Sequence, residues 1–127
     1  MQQEISNSSP VRLGRMAPTI PVSNIACSVG FYASILGFRT VFENGSPTGF
    51  AILRKDAAEL HLTLSKGHRG TSLNTCHLMV EDAAALYDHL TRHNVKIVKA
   101  IRDADFGLRC FVFADPDGNR IDVGQDL

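Results

Sequence analysis

Several things are missing from this 127-residue chain, and each absence closes a class of function. No apolar run approaches the roughly 20 residues that a bilayer-spanning helix needs. There is no surplus of charge: 13 Lys and Arg balance 13 Asp and Glu, so the formal charge is zero. A basic nucleic-acid arm and an electrostatic membrane patch are therefore not expected. Cysteine is sparse, at 27, 76 and 110, and no Cys-x-x-Cys occurs. An odd number at wide spacing does not read as a disulfide framework, and structural zinc wants paired ligands at short spacing. Reduced, partly buried thiols in a cytoplasmic protein are the expectation. The first residues, MQQEISNSSPVRLGR, have no apolar core and do not read as a secretory signal. Residues 1–16 read as a flexible N-terminal arm.

What is present is organised around Phe106 to Val123, FGLRCFVFADPDGNRIDV. Leu108 to Ala114 reads as a strand. Asp115-Pro116-Asp117-Gly118-Asn119 reads as a turn, because Pro116 presets φ, Gly118 accepts positive φ, and Asp and Asn side chains bond the local backbone. That makes Asp115 and Asp117 turn residues rather than a catalytic acid pair. Arg120 to Val123 alternates, so Ile121 and Val123 face a core while Arg120 and Asp122 face elsewhere.

The rest of the chain falls into strands and two helices. Ala17 to Val22 is a short strand whose Pro18 and Pro21 suggest a sheet edge. Asn24 is a good N-cap, Ile25, Val29, Tyr32 and Ile35/Leu36 recur at helical spacing, and Gly37 closes the helix. Phe38 to Glu43, Phe50 to Arg54 and Ala58 to Leu64 are strands, the first followed by an Asn-Gly turn. In the third, Leu60, Leu62 and Leu64 share one face and Glu59, His61 and Thr63 the other. After a polar, glycine-containing loop, Asn74 to Val80 is a strand with Thr75, His77 and Met79 on one face. Asp82 caps a helix with Ala83, Leu86/Tyr87 and Leu90 on its apolar side. Val95 to Ala100 is a strand leading to the closing hairpin.

The two halves repeat. Val22-Ser23-Asn24 ahead of one helix matches Val80-Glu81-Asp82 ahead of the other, and Glu59-Leu60-His61-Leu62 matches Arg120-Ile121-Asp122-Val123. The reading is an α+β domain over 17–127, made of two βαβββ modules (17–65 and 74–127), too few and too long for a solenoid. Each helix covers one sheet face and leaves the other free to form a groove. His68, His89 and His93 are expected to face solvent, and Met79 to be core-like lining.

PVSNIACSVGFYASILGF, AELHL, LMVEDAAALYDHL and FGLRCFVFADPDGNRIDVG together resemble the vicinal oxygen chelate superfamily. It groups glyoxalase I, extradiol dioxygenases and the fosfomycin- and bleomycin-resistance proteins. The resemblance covers residues 17–127 and implies paired βαβββ modules forming a cupped mixed sheet. In small members two chains pair, often with exchanged elements, and the groove lies between modules of different chains.

Metal enzymes of that family place ligands on the first and last strand of each module. The matching positions are Ala17, His61 (or Glu59 in a shifted register), Thr75 (or His77, two residues on along the same face, in a shifted site) and Asp122. Alanine and threonine leave too few donors for the roughly three protein ligands a catalytic site needs. The resemblance is closest to the bleomycin-resistance type, which sequesters a drug in the dimer groove without chemistry. Phe106-Gly107-Leu108-Arg109-Cys110-Phe111 follows that type's aromatic-Gly-x-Arg-x-Phe pattern, with Phe106 offering a stacking face. The family's drug-binding members favour Trp there, and this chain has none.

The resemblance thus implies a homodimeric small-molecule (antibiotic) binding protein with no cofactor. Phe50, His61, His77, Phe106, Arg109 and Asp122 are its candidate ligand-binding residues. The alternative is a glyoxalase- or dioxygenase-like enzyme holding a divalent metal with His61, Asp122 and Glu59. His61 and Asp122 are expected to hydrogen-bond across the cup or to meet the ligand. Arg120, Arg109 or His61 are the expected partners of Asp122, since an unpaired buried carboxylate is costly.

Overall fold

The structure is a computed structural model, and it describes residues 10–127. The first module contains β1 (Thr19–Val22), α1 (Ile25–Leu36), β2 (Arg39–Gly45), β3 (Thr48–Lys55) and β4 (Ala58–Leu64). The second contains β5 (Asn74–Met79), α2 (Ala83–Arg92), β6 (Lys96–Asp103), β7 (Leu108–Ala114) and β8 (Arg120–Asp126). Each forms one four-stranded sheet, in the orders β1-β4-β3-β2 and β5-β8-β7-β6. β1 lies parallel to β4 and β5 parallel to β8, because a helix crossover returns the chain in the same direction. The remaining neighbours are hairpins and run antiparallel.

The helix limits follow from their caps. Asn24 accepts a hydrogen bond from the Cys27 N–H, and Asp82 accepts one from that of Ala85. Gly37, at φ +79°, takes the left-handed conformation that ends α1. The strands of the two late hairpins run further than alternation alone suggests. β6 continues to Asp103 and β8 to Asp126, since Asp103 pairs with Arg109 and Leu108 with Asp126 across the ladders.

One apolar core spans both modules. Ile20, Val22, Leu53, Leu60 and Leu62 of the first sheet meet α1, while Phe111, Phe113, Ile121 and Val123 of the second meet α2. Burying each such side chain contributes about 1.5–3 kcal/mol. α1 also buries Ser28, which the apolar spacing does not mark.

The modules are joined by polar contacts as well. Asp115 is 5% exposed. Its Oδ1 accepts from the N–H groups of Asp117 and Asn119, and its Oδ2 from Asn119 Nδ2 and the Tyr32 hydroxyl. Asp117 takes hydrogen bonds from Ser23 and Ser28, at the start of α1. Asn119 Nδ2 also donates to the Pro21 carbonyl. The β7–β8 turn is thus a turn, as its residues suggest, and it is also the bolt that fastens the second module to the first.

Two histidines expected in solvent belong to these joints. His68 Nε2 lies 2.7 Å from Asn119 Oδ1. His89 Nε2 donates to the Ile35 carbonyl at 2.7 Å, tying α2 to the last turn of α1. Both are part-buried because each satisfies a group that would otherwise lack a partner. His93 is exposed as expected. Among the described residues no helix is long and apolar enough to cross a membrane.

Candidate functional site

With the helices on the inner faces, the outer face of each sheet carries the polar residues of the alternation. On the first sheet the register places Phe50 beside Thr63, Ile52 beside His61 and Arg54 beside Glu59. A bulge at Val41 shifts β2 so that Phe42 falls opposite Ile52. The outcome is a line of edge-to-face rings: Phe42 to Phe50 at 6.3 Å and Phe50 to His61 at 5.6 Å between centroids.

Glu59 ends this line. Its Oε2 accepts from His61 Nε2 at 2.7 Å, and its Oε1 from Arg54 Nε at 2.9 Å and Arg15 Nε at 2.6 Å. The His61 hydrogen bond, then Arg15 and Arg54, hold the Glu59 carboxyl down at about 2. Arg15 belongs to the segment expected to be a flexible arm. Residues 10–18 carry no regular secondary structure, yet Arg15 is tied to β4. The flexible arm expected over residues 1–9 lies outside the described residues.

On the second sheet, His77 of β5 lies beside Asp122 of β8. Nδ1 of His77 is 2.7 Å from Asp122 Oδ2, and Nε2 is 3.0 Å from Met79 Sδ. Asp122 therefore has His77 as its partner. The anticipated pairing with Arg120, Arg109 or His61 does not form. Arg120 reaches the Ser72 carbonyl, Arg109 grips Asp103 through two hydrogen bonds at 2.7 and 3.2 Å, and His61 is held by Glu59. The physical reason is proximity: His61 and Asp122 sit on different sheets, and each finds a neighbour on its own. Met79, expected as core-like lining, is 46% exposed.

Phe106 stands at the tip of the β6–β7 hairpin and is 70% exposed. The Asp103–Arg109 pair at the base of that hairpin fixes it. The candidate residues thus fall into three groups: Phe50 with His61, His77 with Asp122, and Phe106 above Arg109. A cavity of about 610 Å³ between the modules brings Glu59 and His77 to one space, walled by Tyr32, Leu36, Phe38 and Phe113. Its lining includes none of Phe50, His61, Phe106, Arg109 or Asp122.

Within one chain these residues do not assemble a divalent-ion site of the kind the metal enzymes use. Among the described residues no three His, Cys, Asp or Glu side chains converge. Both oxygens of Glu59 are already engaged by His61 and two arginines. Sequence reasoning did not single out Phe42, Arg15 or Arg54 for the site. Arg54 and Glu59 flank one tight turn and were legible as neighbours; Phe42 depends on a bulge and Arg15 on a contact 44 residues away.

Known proteins match this architecture. The family model "Glyoxalase/Bleomycin resistance protein/Dioxygenase superfamily" matches residues 12–123. A bleomycin resistance protein of Geobacillus stearothermophilus is 28% identical over 128 residues, covering 87% of this chain and 95% of that protein. A superfamily member from Sphaerobacter thermophilus superposes with a TM-score of 0.76 at 26% identity, covering 91% of this chain and 98% of that one. The bleomycin-binding protein of bleomycin-producing Streptomyces verticillus, crystallised with copper(II)-bleomycin, gives 0.74 at 22% identity, covering 92% and 99%. With the family model spanning nearly all of both modules, the chain belongs to the glyoxalase/bleomycin resistance protein/dioxygenase superfamily.

Proposed function

We propose that this chain is an antibiotic-binding protein of the bleomycin-resistance type, which sequesters its ligand in grooves between two copies without catalysis. The observation that carries the reading is the separation of the two outer sheet faces. Within one chain the modules share their inner faces, so the aromatic line of Phe42, Phe50 and His61 and the His77–Asp122 pair are left open on different sheets. A twofold that sets the first sheet of one copy over the second sheet of the other makes two equal grooves. Each groove then has flat rings for stacking, with Phe106 and Arg109 supplied by a hairpin. The named relatives support a bleomycin-like ligand. Three free thiols among the described residues accord with a cytoplasmic location.

Titration calorimetry with bleomycin tests the reading, alongside sedimentation of the free protein. The expected result is saturable heat at one bleomycin per chain on a dimer. Phe50→Ala should weaken binding about 3- to 10-fold, the worth of one aromatic contact. Heats equal to dilution at tens of micromolar protein remove the drug assignment.

A further inference from the structure

Three cations follow one another along β6 at steps of three residues: Lys96, Lys99 and Arg102. In a regular strand that step sends neighbours to opposite faces. The register does not let it. Lys96 lies beside Ala114, Lys99 beside Val112 and Arg102 beside Cys110. Those partners are alternate residues of β7, and partners across a ladder share a face. Two bulges, between Ile97 and Lys99 and between Lys99 and Arg102, absorb the extra residues. All three cations therefore stand on one face, in a column with a pitch of about 7 Å.

That face is the outer one. Ala114, Val112 and Cys110 pair in turn with Arg120, Asp122 and Gly124 of β8, while Phe111 and Phe113 between them enter the core. β6 is the free edge of its sheet, and the three cations are exposed. None has an ion pair among the described residues. Asp103, next along β6, is committed to Arg109. The carboxylates of this face, Asp122 and Asp126, stand on β8, two strands and about 10 Å away. Asp122 is moreover engaged by His77. A chain with no net charge has thus set three cations apart. Protection of a free edge does not require this. The corresponding edge strand β2 also has a bulge, and it sets Arg39, Phe42 and Asn44 at the matching positions.

We infer that the column is a binding site for a small polyanion, a molecule carrying two or more phosphate, sulfate or carboxylate groups about 7 Å apart. The pitch is shorter than the screening length of about 10 Å at 0.1 M salt, so neighbouring cations attract one ligand together. The column is three charges long, which suits a small molecule rather than a polymer. The small side chains of Ala114, Val112 and Cys110 beside it leave room for the ligand to lie on the sheet. The site belongs to one sheet of one chain and does not rest on the proposed antibiotic binding.

The test is a titration of the 15N-labelled full chain with sodium tripolyphosphate at low salt, followed by amide shifts. The amides of Lys96, Lys99, Arg102 and Val112 should shift and saturate near one equivalent. Those of Lys55 and Arg92, whose side chains are paired with Asp56 and Asp88, should stay in place. Added sodium chloride should weaken the binding. Orthophosphate, too short to bridge two cations, should bind more weakly. Lys99→Gln should cost about 2- to 5-fold in affinity, the worth of one exposed ion pair. Lys96→Gln, Lys99→Gln and Arg102→Gln together should abolish the saturable shift, while Arg39→Gln on the other edge should leave it intact. The proposal is overturned if the shifts spread over every exposed Lys and Arg without saturating. It is equally overturned if the triple variant binds as the native chain does, or if Arg39→Gln costs as much as Lys99→Gln.

Discussion

Replacing Tyr32 by Phe removes one oxygen from the bolt between the modules and nothing else. Tyr32 is fully buried in α1, and its hydroxyl donates to Asp115 Oδ2 at 2.9 Å, 83 residues away. Phenylalanine fills nearly the same volume, so no cavity opens. The loss is a hydrogen bond to a buried carboxylate, worth about 1.5–3 kcal/mol. Asp115 keeps its two turn N–H groups on Oδ1, but Oδ2 is left with Asn119 Nδ2 alone. For a chain of this length, an unfolding entropy of about 2.1 cal/mol/K per residue turns that loss into a fall in Tm of about 6–11 °C. Urea unfolding followed by far-ultraviolet circular dichroism measures it, with an unchanged m-value. Asp115→Asn should destabilise as well, and adding Tyr32→Phe to it should cost less than Tyr32→Phe alone, because the two share one contact. A shift under about 0.5 kcal/mol for Tyr32→Phe would refute the bolt as a stabilising joint and reduce it to a surface turn.

Two further outcomes are expected. Glu59 is held from an ordinary 4.5 down to about 2, chiefly by His61. A carboxylate lowered on folding stabilises above its unfolded value and loses that contribution as pH falls through its folded one. The stability gap between the native chain and Glu59→Gln should therefore narrow as pH drops from about 4.5 toward 2; equal urea midpoint differences at pH 6 and pH 2.5 would contradict this. Burial pushes the Cys76 thiol up, whereas Cys27 lies exposed on α1. Iodoacetamide at neutral pH should label Cys27 first and Cys76 last in peptide mass spectra. Equal labelling rates would contradict the burial of Cys76.

The elements were legible where the signal is local. Asn24, Asp82 and Gly37 act at the helix ends they mark, and Leu60/Leu62 and Ile121/Val123 point inward as their alternation says. The halves of the site were legible for the same reason: His61 and Glu59 share one strand face, and His77 and Asp122 share another across a parallel pair. Their partners were not. An isolated sequence says which face a charge takes, and leaves open which of several charges on that face reaches it first.

What the sequence by itself determined is the pair of βαβββ modules, their order and the inward set of each strand, because periodicity and capping are short-range properties of the chain. Only the tertiary structure decided that Asp115 and Asn119 bolt the modules together, that His89 serves α1, that a bulge turns Phe42 outward, and that Asp122 belongs to His77 rather than His61. Those outcomes depend on distances between residues far apart along the chain. Such distances exist only once the two sheets have closed over a shared core.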